Sequence, residues 1–543
     1  MEAKTLVELA ENTFTKKLGL NSLHQEIASN FYPQRADFTV QRYLGDEFAG
    51  NLMTSFPVIC AREFAGAIPA MLRPTQKEWF EMAVKYSTKA DHEAKEWLHW
   101  ASGTQRRAMY DVHSLFNRAL SQADMDFVLF GSPVIQCTMN DMRNGLLHRT
   151  WHLRDCAWLE DDDGNVCPIF RRWKPQARVV VAKFKDKVHP TLRAMALKEP
   201  FREVNCMHIV CDADLYDADA RGRPYWSIIY DCDHQTLLEA VPVWNKQYAI
   251  PRWQTVSGSQ YSYSPAVVAA LPEARLLQAM TYTLLEAGEK ASNPPMVATE
   301  GAVRSDVAVY AGGTTWVDYE YDERLGDALR TLNQDHSGLP FGADQQRDSR
   351  AVLKECFFLN KIKPFTPTND PTMTAFQAGQ IVAQYIRDAL PIFEPMEAEY
   401  NGQVCELDFD NLMRNGAFGP PDRMPRSLRG AEIDFRFQSP LHDAIDAQKG
   451  HKFLEMKQLI IEGMALDKSV IALPKVIDAL RDALDGVRTP PDWINSEIRV
   501  RETQAQMAEQ QQTQQMLETM TQAGEAGKLA GEAAKNMAQA VPA

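Results

Sequence analysis

Cys206, His208, Cys211, Cys232 and His234 form the densest gathering of metal-ligand types in these 543 residues, which carry nine cysteines and twelve histidines. Strand alternation puts Cys206 and His208 together and leaves Cys211 beyond the strand. Paired C-x-x-C spacing is absent, so ordinary buried thiols and surface histidines are expected. Asp161, Asp162 and Asp163 could hold a cation or act as paired acids. They lack the twelve-residue spacing of a calcium loop and, followed by Gly164, read as a hairpin turn. Asp212, Asp214, Asp217 and Asp219 read as a solvated loop; a divalent-metal-dependent nucleic-acid-processing enzyme built on either acidic run is the principal rival reading, but no spacing forces its ligands to converge. Arg171, Arg172 and Lys174 beside Trp173 could touch nucleic acid, or serve as a strand edge or salt-bridge site. Lys361 and Lys363 are better candidates for facing phosphates, because Pro364 and Pro367 stiffen their loop and no apolar pattern demands their burial. No glycine-rich, lysine-ended phosphate loop occurs, so any motor force comes from a partner. No catalytic, cofactor or metal residue is assigned.

The composition narrows the class. At 45% hydrophobic residues the chain can bury large cores, and its length suggests three or four compact units. A formal charge of −14 opposes tight wrapping of nucleic acid by the surface as a whole. An odd number of cysteines in so long a chain reads as reduced thiols made in a cytosol. The start, Met1-Glu2-Ala3-Lys4, leads into an amphipathic pattern, and no apolar run approaches the roughly 20 residues of a spanning helix, so no unaided membrane crossing is expected.

Helical periodicity runs from Thr5 to Phe31, from Asn51 to Met71 until Pro69 and Pro74 interrupt it, and from Glu93 to Leu129, with Trp79-Phe80 as a buried anchor. Strands are expected at Val134-Ile135, Val179-Val180-Val181, Met207 to Val210 and Trp226 to Tyr230, with one helical piece from His189 to Ala196. Two rods follow. The first, Glu273 to Ala291, sets Leu277, Met280 and Leu284 on one face and ends at Asn293-Pro294-Pro295. The second, Ala343 to Leu359, sets Val352, Leu353, Cys356, Phe357 and Leu359 inward, making Leu277, Met280, Leu284, Val352 and Cys356 the candidate packing residues between rods. Between them, Val297 to Pro340 reads as a small excursion of strands and turns. A helical run from Thr372 to Leu390, a short helix from Asp408 to Arg414 and an edge-type strand from Glu432 to Phe437 come next, then helical sequence from Leu441. Beyond Arg501 the Gln-rich chain buries little, so it is either frayed or packed against copies of itself.

Four stretches, in this order, resemble the head-to-tail connector, or portal, proteins of short-tailed phages of the T7-like type. They are His24 to Ala28 leading to Tyr32-Pro33; Ala61 to Leu72 followed by Trp79-Phe80; Tyr263-Ser264-Pro265 through Leu271 to Arg275, continuing to Asn293-Pro294-Pro295; and Phe437 to Leu441. The resemblance implies an α+β portal fold assembled as a ring, usually of twelve, at one capsid vertex of the virion. It implies a mixed wing from 1–270 and 372–440, stem helices at 271–292 and 342–360, a clip at 293–341, a channel loop at 361–371, a helical crown at 441–500, and a tail at 501–543 that extends a barrel or trails disordered. Implied partners are the major capsid and scaffolding proteins, the terminase large subunit, tail adaptor and tail tube proteins, internal core proteins, and double-stranded DNA in transit, with assembly in the host cytoplasm and no membrane. Twelve copies at −14 each would carry about −168 formal charges, so an acidic bore should let DNA slide instead of gripping it. A scaffold or adaptor without a DNA channel is the third reading.

Overall fold

The computed structural model describes residues 1–43, 45–47, 49–75, 77–85, 92–299, 302–303, 306–308, 314–318, 324, 327–332, 338–362, 391–438 and 453–462, with isolated helical positions between 479 and 510. Length alone suggests three or four compact units; the chain forms two. One comprises Met1–Glu81, Ala101–Pro420 and Phe435–Ala444, the other Met82–Trp100, Pro421–Asp434 and Ile445–Ala543.

At the N-terminus, helical spacing of Leu6, Ala10, Thr13 and Phe14 yields α1 (Ala3–Lys16), and a separate α2 (Leu18–Phe31) buries Asn21, His24, Ile27, Ala28 and Phe31. The single run expected from Thr5 to Phe31 is thus divided at Lys17. That lysine is buried, with its Nζ donating to the carbonyls of Leu153 and Cys156 at 2.7 Å each and lying 5.2 Å from the ring centres of Trp158 and Tyr261. Burial pulls its ammonium down to about 8. An unfolded lysine holds its proton to about 10.4, so between these values the unfolded state binds more protons and this group's contribution to stability rises with pH. The stability of the wild type relative to Lys17→Met should therefore increase by about 2.5 kcal/mol from pH 8 to pH 10.5. Urea unfolding at both pH values checks this, and a pH-independent difference would refute it.

Helix α3 (Phe56–Leu72) starts later than Asn51 and runs through Pro69. The expected interruption fails because Ile68, Met71 and Leu72 are buried in the last turn, and Pro69's own carbonyl still accepts from the Arg73 amide at 3.0 Å. The long run from Glu93 is likewise divided, into α4 (His92–Met109) and α5 (Phe116–Phe130), at Leu115, whose φ of 56° leaves the right-handed helical region. Trp79 is buried as expected. It precedes β1 (Phe80–Val84), which pairs with a late strand described below.

Next come β2 (Val134–Met139), β3 (Leu146–Trp151), β4 (Cys156–Glu160) and β5 (Val166–Trp173), then α6 (Ala177–Phe184) and α7 (Pro190–Lys198). After them are β6 (Cys206–Asp212), α8 (Ala213–Tyr216), β7 (Tyr225–Asp231), β8 (Thr236–Val243) and β9 (Tyr248–Ala249). The order β4-β5-β6-β7-β8 is an antiparallel meander, and β3-β2-β9 forms a second sheet. Period-two alternation shares out β6: Met207, Ile209 and Cys211 pack with Leu6, Ala10 and Phe14 of α1, while Cys206 packs with Val180, Phe184 and Leu192. The strand expected at Val179-Val180-Val181 is helix α6. Ala177, Val180 and Phe184 fall at offsets of three and seven, so one helical face is buried, and that burial overrides β-branched propensity. Cys211, expected beyond its strand, lies inside β6.

Two short strands, β10 (Gln254–Thr255) and β11 (Ser262–Tyr263), precede α9 (Leu271–Ser292), β12 (Met296–Ala298), β13 (Leu329–Thr331), α10 (Gly338–Cys356) and α11 (Leu359–Ile362). Helical residues 391–396 and a π turn, Glu397–Gly402, lead into α12 (Gln403–Arg414), longer than the expected Asp408 to Arg414. Strand β14 (Ile433–Phe437) pairs with β1. The second unit has its described helical residues at 92–100 and 453–462, with scattered positions beyond. The run from Thr372 to Leu390, most of 441–500 and nearly all of 501–543 lie outside the described residues.

Candidate functional site

Neither acidic run builds a centre. Asp161 accepts the backbone amides of Asp163 and Asn165 at 2.9 Å each, closing the hairpin between β4 and β5, and Gly164 takes the required φ of 79°. Those hydrogen bonds, first of all from Asn165, hold its exposed carboxyl below the usual range. Asp212 ends β6, and Asp217 accepts the Asp219 amide at 3.0 Å as an exposed turn. The cysteine and histidine group is split by the sheet. His208 is buried between Tyr248 Oη (2.5 Å) and Ser227 Oγ (2.8 Å), and burial, then Arg171, pulls its imidazole well below the ordinary value, so it is neutral. His234 faces Asp231 at 2.8 Å and stacks on His189. The basic stretch is engaged internally: buried Arg171 donates to Tyr248 Oη and lies 3.9 Å from the Trp151 ring centre, and Arg172 pairs with Glu11. Lys174 is exposed.

What remains is the pair of rods. Leu271, Ala274 and Leu277 bury the base of α9. There Gln278 receives the amides of Met53 and Thr54 and donates to the Thr54 carbonyl, while Arg275 pairs with Glu26 at 2.5 Å. Helix α10 lies antiparallel to α9: Gln346 Nε2 donates to Thr281 Oγ1 at 2.8 Å, and a Cβ on Gly342 would come within 2.9 Å of Leu284. Glycine therefore lets the helices approach closely there. Nearer the base, burial and then the charge of Glu273 on α9 raise the Cys356 thiol. The pairing continues into β12 and β13, where Met296 faces Thr331, so helices and strands form one hairpin. Beyond it, Val303 bridges Val317 around buried Ala302.

The candidate packing residues fare unequally. Leu277 is fully buried; Met280, Leu284 and Cys356 are half-buried. Val352 is 41% exposed, and the inward position belongs to fully buried Leu353, because one residue turns a helix face by about 100°. The anchor that the periodicity placed only as one more inward residue is Phe357, fully buried 5.5 Å from the Phe31 ring and 6.4 Å from that of Phe64. Phe358 then turns the chain with a φ of 54° and stacks on Trp253. Lys361 is exposed on α11 just past this anchor, and Lys363 lies outside the described residues.

Past Thr281 no residue of α9 is fully buried, and apolar side chains stay exposed: Leu276, Tyr282 and Leu285 on α9, Phe341 and Val352 on α10, and Met296, Val297, Trp316 and Val317 in the excursion. An arm so thinly covered gains little stability alone, and so many exposed apolar side chains along it are surface of the kind that interfaces cover. No helix among the described residues is long and apolar enough to cross a membrane.

A family model described as bacteriophage head to tail connecting protein matches residues 3–488. The chain is similar to the probable portal protein of Bordetella phage BPP-1, 23% identical over 452 residues that cover 82% of this chain and 80% of that protein. It is also similar to the portal protein of Salmonella phage epsilon15, 22% identical over 378 residues covering 68% and 66%. Among solved structures, a chain of the virion of a native gene transfer agent particle aligns with 81% of this chain and 95% of its own length, at a TM-score of 0.35 and 10% identity.

Proposed function

Because the chain belongs to the bacteriophage head to tail connecting protein family, we propose that twelve copies close into a ring at one capsid vertex and that double-stranded DNA passes through its bore. The general role is structural: a portal, or connector, component of the phage virion at the capsid vertex. The observation that carries the finer reading is the antiparallel α9–α10 hairpin, based in the core by Leu277 and Phe357 and leaving apolar side chains uncovered along its length. Neighbouring copies are the natural cover for such an arm. A 22-residue helix is about 33 Å long, enough to line a passage through a substantial wall.

On this reading α9 and residues 342–360, which take in all but the first turn of α10, are the stem and residues 293–341 the clip, whose exposed Met296, Val297, Trp316 and Val317 offer an apolar face to terminase during packaging and to a tail adaptor afterwards. Residues 1–270 and 372–440 form the wing, and 441–500 the crown. The short-tailed, T7-like affiliation belongs to the same proposal and rests on the four ordered stretches. Capsid, scaffolding and internal core proteins are the remaining partners. No catalytic step is assigned: the two acidic runs considered as metal-dependent centres are turn and loop elements.

The proposed channel loop, 361–371, begins in the last turn of α11. Exposed Lys361, with Lys363 after it, would meet phosphates briefly while the acidic bore keeps the duplex sliding. Purified protein should show rings with a central hole in negative stain, and the absence of rings at any concentration would sink the reading. The double variant Lys361→Glu, Lys363→Glu should form the same rings but yield several-fold fewer filled heads when it replaces the wild type in infection. Unchanged genome retention would remove the role given to these lysines.

A further inference from the structure

Cys137 on β2 and His148 on β3 are direct cross-strand partners, and α12 packs against that hairpin with Asp408 facing them. All three side chains are fully buried, and their ligand atoms lie within 4.8 Å of one another. His148 Nε2 is 2.9 and 3.0 Å from the two Asp408 carboxylate oxygens, and its Nδ1 is 3.2 Å from the Ser114 carbonyl. Cys405, one helical turn before Asp408 and also fully buried, is near enough to act electrostatically on the Cys137 thiol.

We propose that Cys137, His148 and Asp408 bind a zinc-type divalent ion, that Cys405, which stands outside the present 4.8 Å group, swings in as the fourth ligand, and that this ion pins α12 to the β2–β3 hairpin. A carbonyl only accepts, so Nδ1 carries hydrogen and donates to Ser114; Nε2 then points a lone pair at a carboxylate that also only accepts. At 2.9 and 3.0 Å that gap takes a second proton, and a metal that replaces it requires Nε2 and the carboxylate to part by a few tenths of an ångström. A proton satisfies that pair but leaves the buried Cys137 thiol, which the strand register holds beside His148, without a role, whereas a metal uses all three side chains. The carbonyl partner on Nδ1 is the usual second contact of a metal-bound histidine, fixing the ring and its tautomer. Two ligand atoms about 2.0 Å from a tetrahedral ion stand roughly 3.3 Å apart, so Nε2 and the nearer carboxylate oxygen, 2.9 Å apart without the ion, separate by about 0.4 Å to admit it. Thiolate, imidazole and carboxylate together favour zinc over magnesium or calcium. Complete burial among structural elements makes the site structural instead of catalytic. His148 and Asp408 lie 260 residues apart, so the ion would fasten two distant parts of the chain.

The test does not depend on ring formation. Full-length protein, dialysed extensively without chelator, should retain about one zinc per chain by elemental analysis. Cys137→Ser and His148→Gln should each lose most of it, and Cys232→Ser, outside the cluster, should keep it. Since substitutions in a core can unfold the chain, the wild type supplies a second measurement. Chelator-stripped protein titrated with Co²⁺ should develop a thiolate-to-cobalt charge-transfer band and tetrahedral d–d bands that saturate at one equivalent, and chelation should lower its melting temperature. Less than a tenth of an equivalent of metal in fresh protein, together with no cobalt band on titration, would overturn the site.

Discussion

Asp124→Leu is expected to lower the unfolding free energy of the unassembled chain by about 3–5 kcal/mol, and a second change, Arg73→Met, to restore most of that loss. Arg73 closes α3 and is buried, donating to Asp124 on α5 at 2.5 Å and to Asn401 at 2.9 Å, with its guanidinium 4.7 Å from the Tyr400 ring centre. Burial alone would disfavour the charge on either partner, but the Asp124 carboxylate outweighs it at Arg73, whose pKa is raised, so the guanidinium stays charged. Removing only the carboxylate leaves that cation without a counter-ion in a low-dielectric interior. Removing both replaces a desolvated pair with apolar packing, a change that is often neutral, less about 1 kcal/mol for the Asn401 oxygen left without its donor. Urea unfolding followed by tryptophan fluorescence separates the outcomes. A single-variant loss below about 1 kcal/mol, or a double variant as weak as the single, would show that the pair does not hold α3, α5 and the segment before α12 together.

Much of this architecture was legible because burial imposes a period. Met207 to Val210 alternates and is β6, Asp161 to Asn165 carries the chemistry of a tight turn and is one, and the two rods are helices within a few residues of their expected ends. What escaped was set by contacts distant in sequence. Val179 to Val181 has strand propensity, yet its neighbours Ala177 and Phe184 complete a helical face that the sheet buries. Lys17 looks like a solvent residue in an amphipathic helix, and only the carbonyls of Leu153 and Cys156 explain why it lies inside. Val352 and Leu353 are equally apolar neighbours, so periodicity could not choose the phase that packing chose. Cys137 and His148 carry a faint local signal, being on either side of the hairpin turn around Gly145, but Asp408 is joined to them only by the fold.

The exposed leucines of α9 bear directly on assembly. Leu276 and Leu285 are nine residues apart, which sets them about 180° apart around the helix, on opposite flanks of the line that faces α10. A closed head-to-tail ring needs two different complementary surfaces on every copy, one for each neighbour. If the two flanks are those surfaces, Leu276→Glu spoils one and Leu285→Glu the other. Each change forfeits about 1.5–3 kcal/mol of leucine burial and adds an unpaired carboxylate to a dry interface. A combined loss of about 4 kcal/mol weakens each contact roughly a thousandfold, enough to keep either variant monomeric at concentrations where the wild type forms rings. Because both positions are exposed in the single chain, circular dichroism and melting of the monomer should stay close to wild type. Mixing the two variants discriminates further. Each retains the flank the other lacks, so one intact contact should form and stop, giving dimers by mass photometry and no rings. Normal rings from either variant alone would remove α9 from the interface, and rings from the mixture would mean that the two leucines do not belong to opposite contacts.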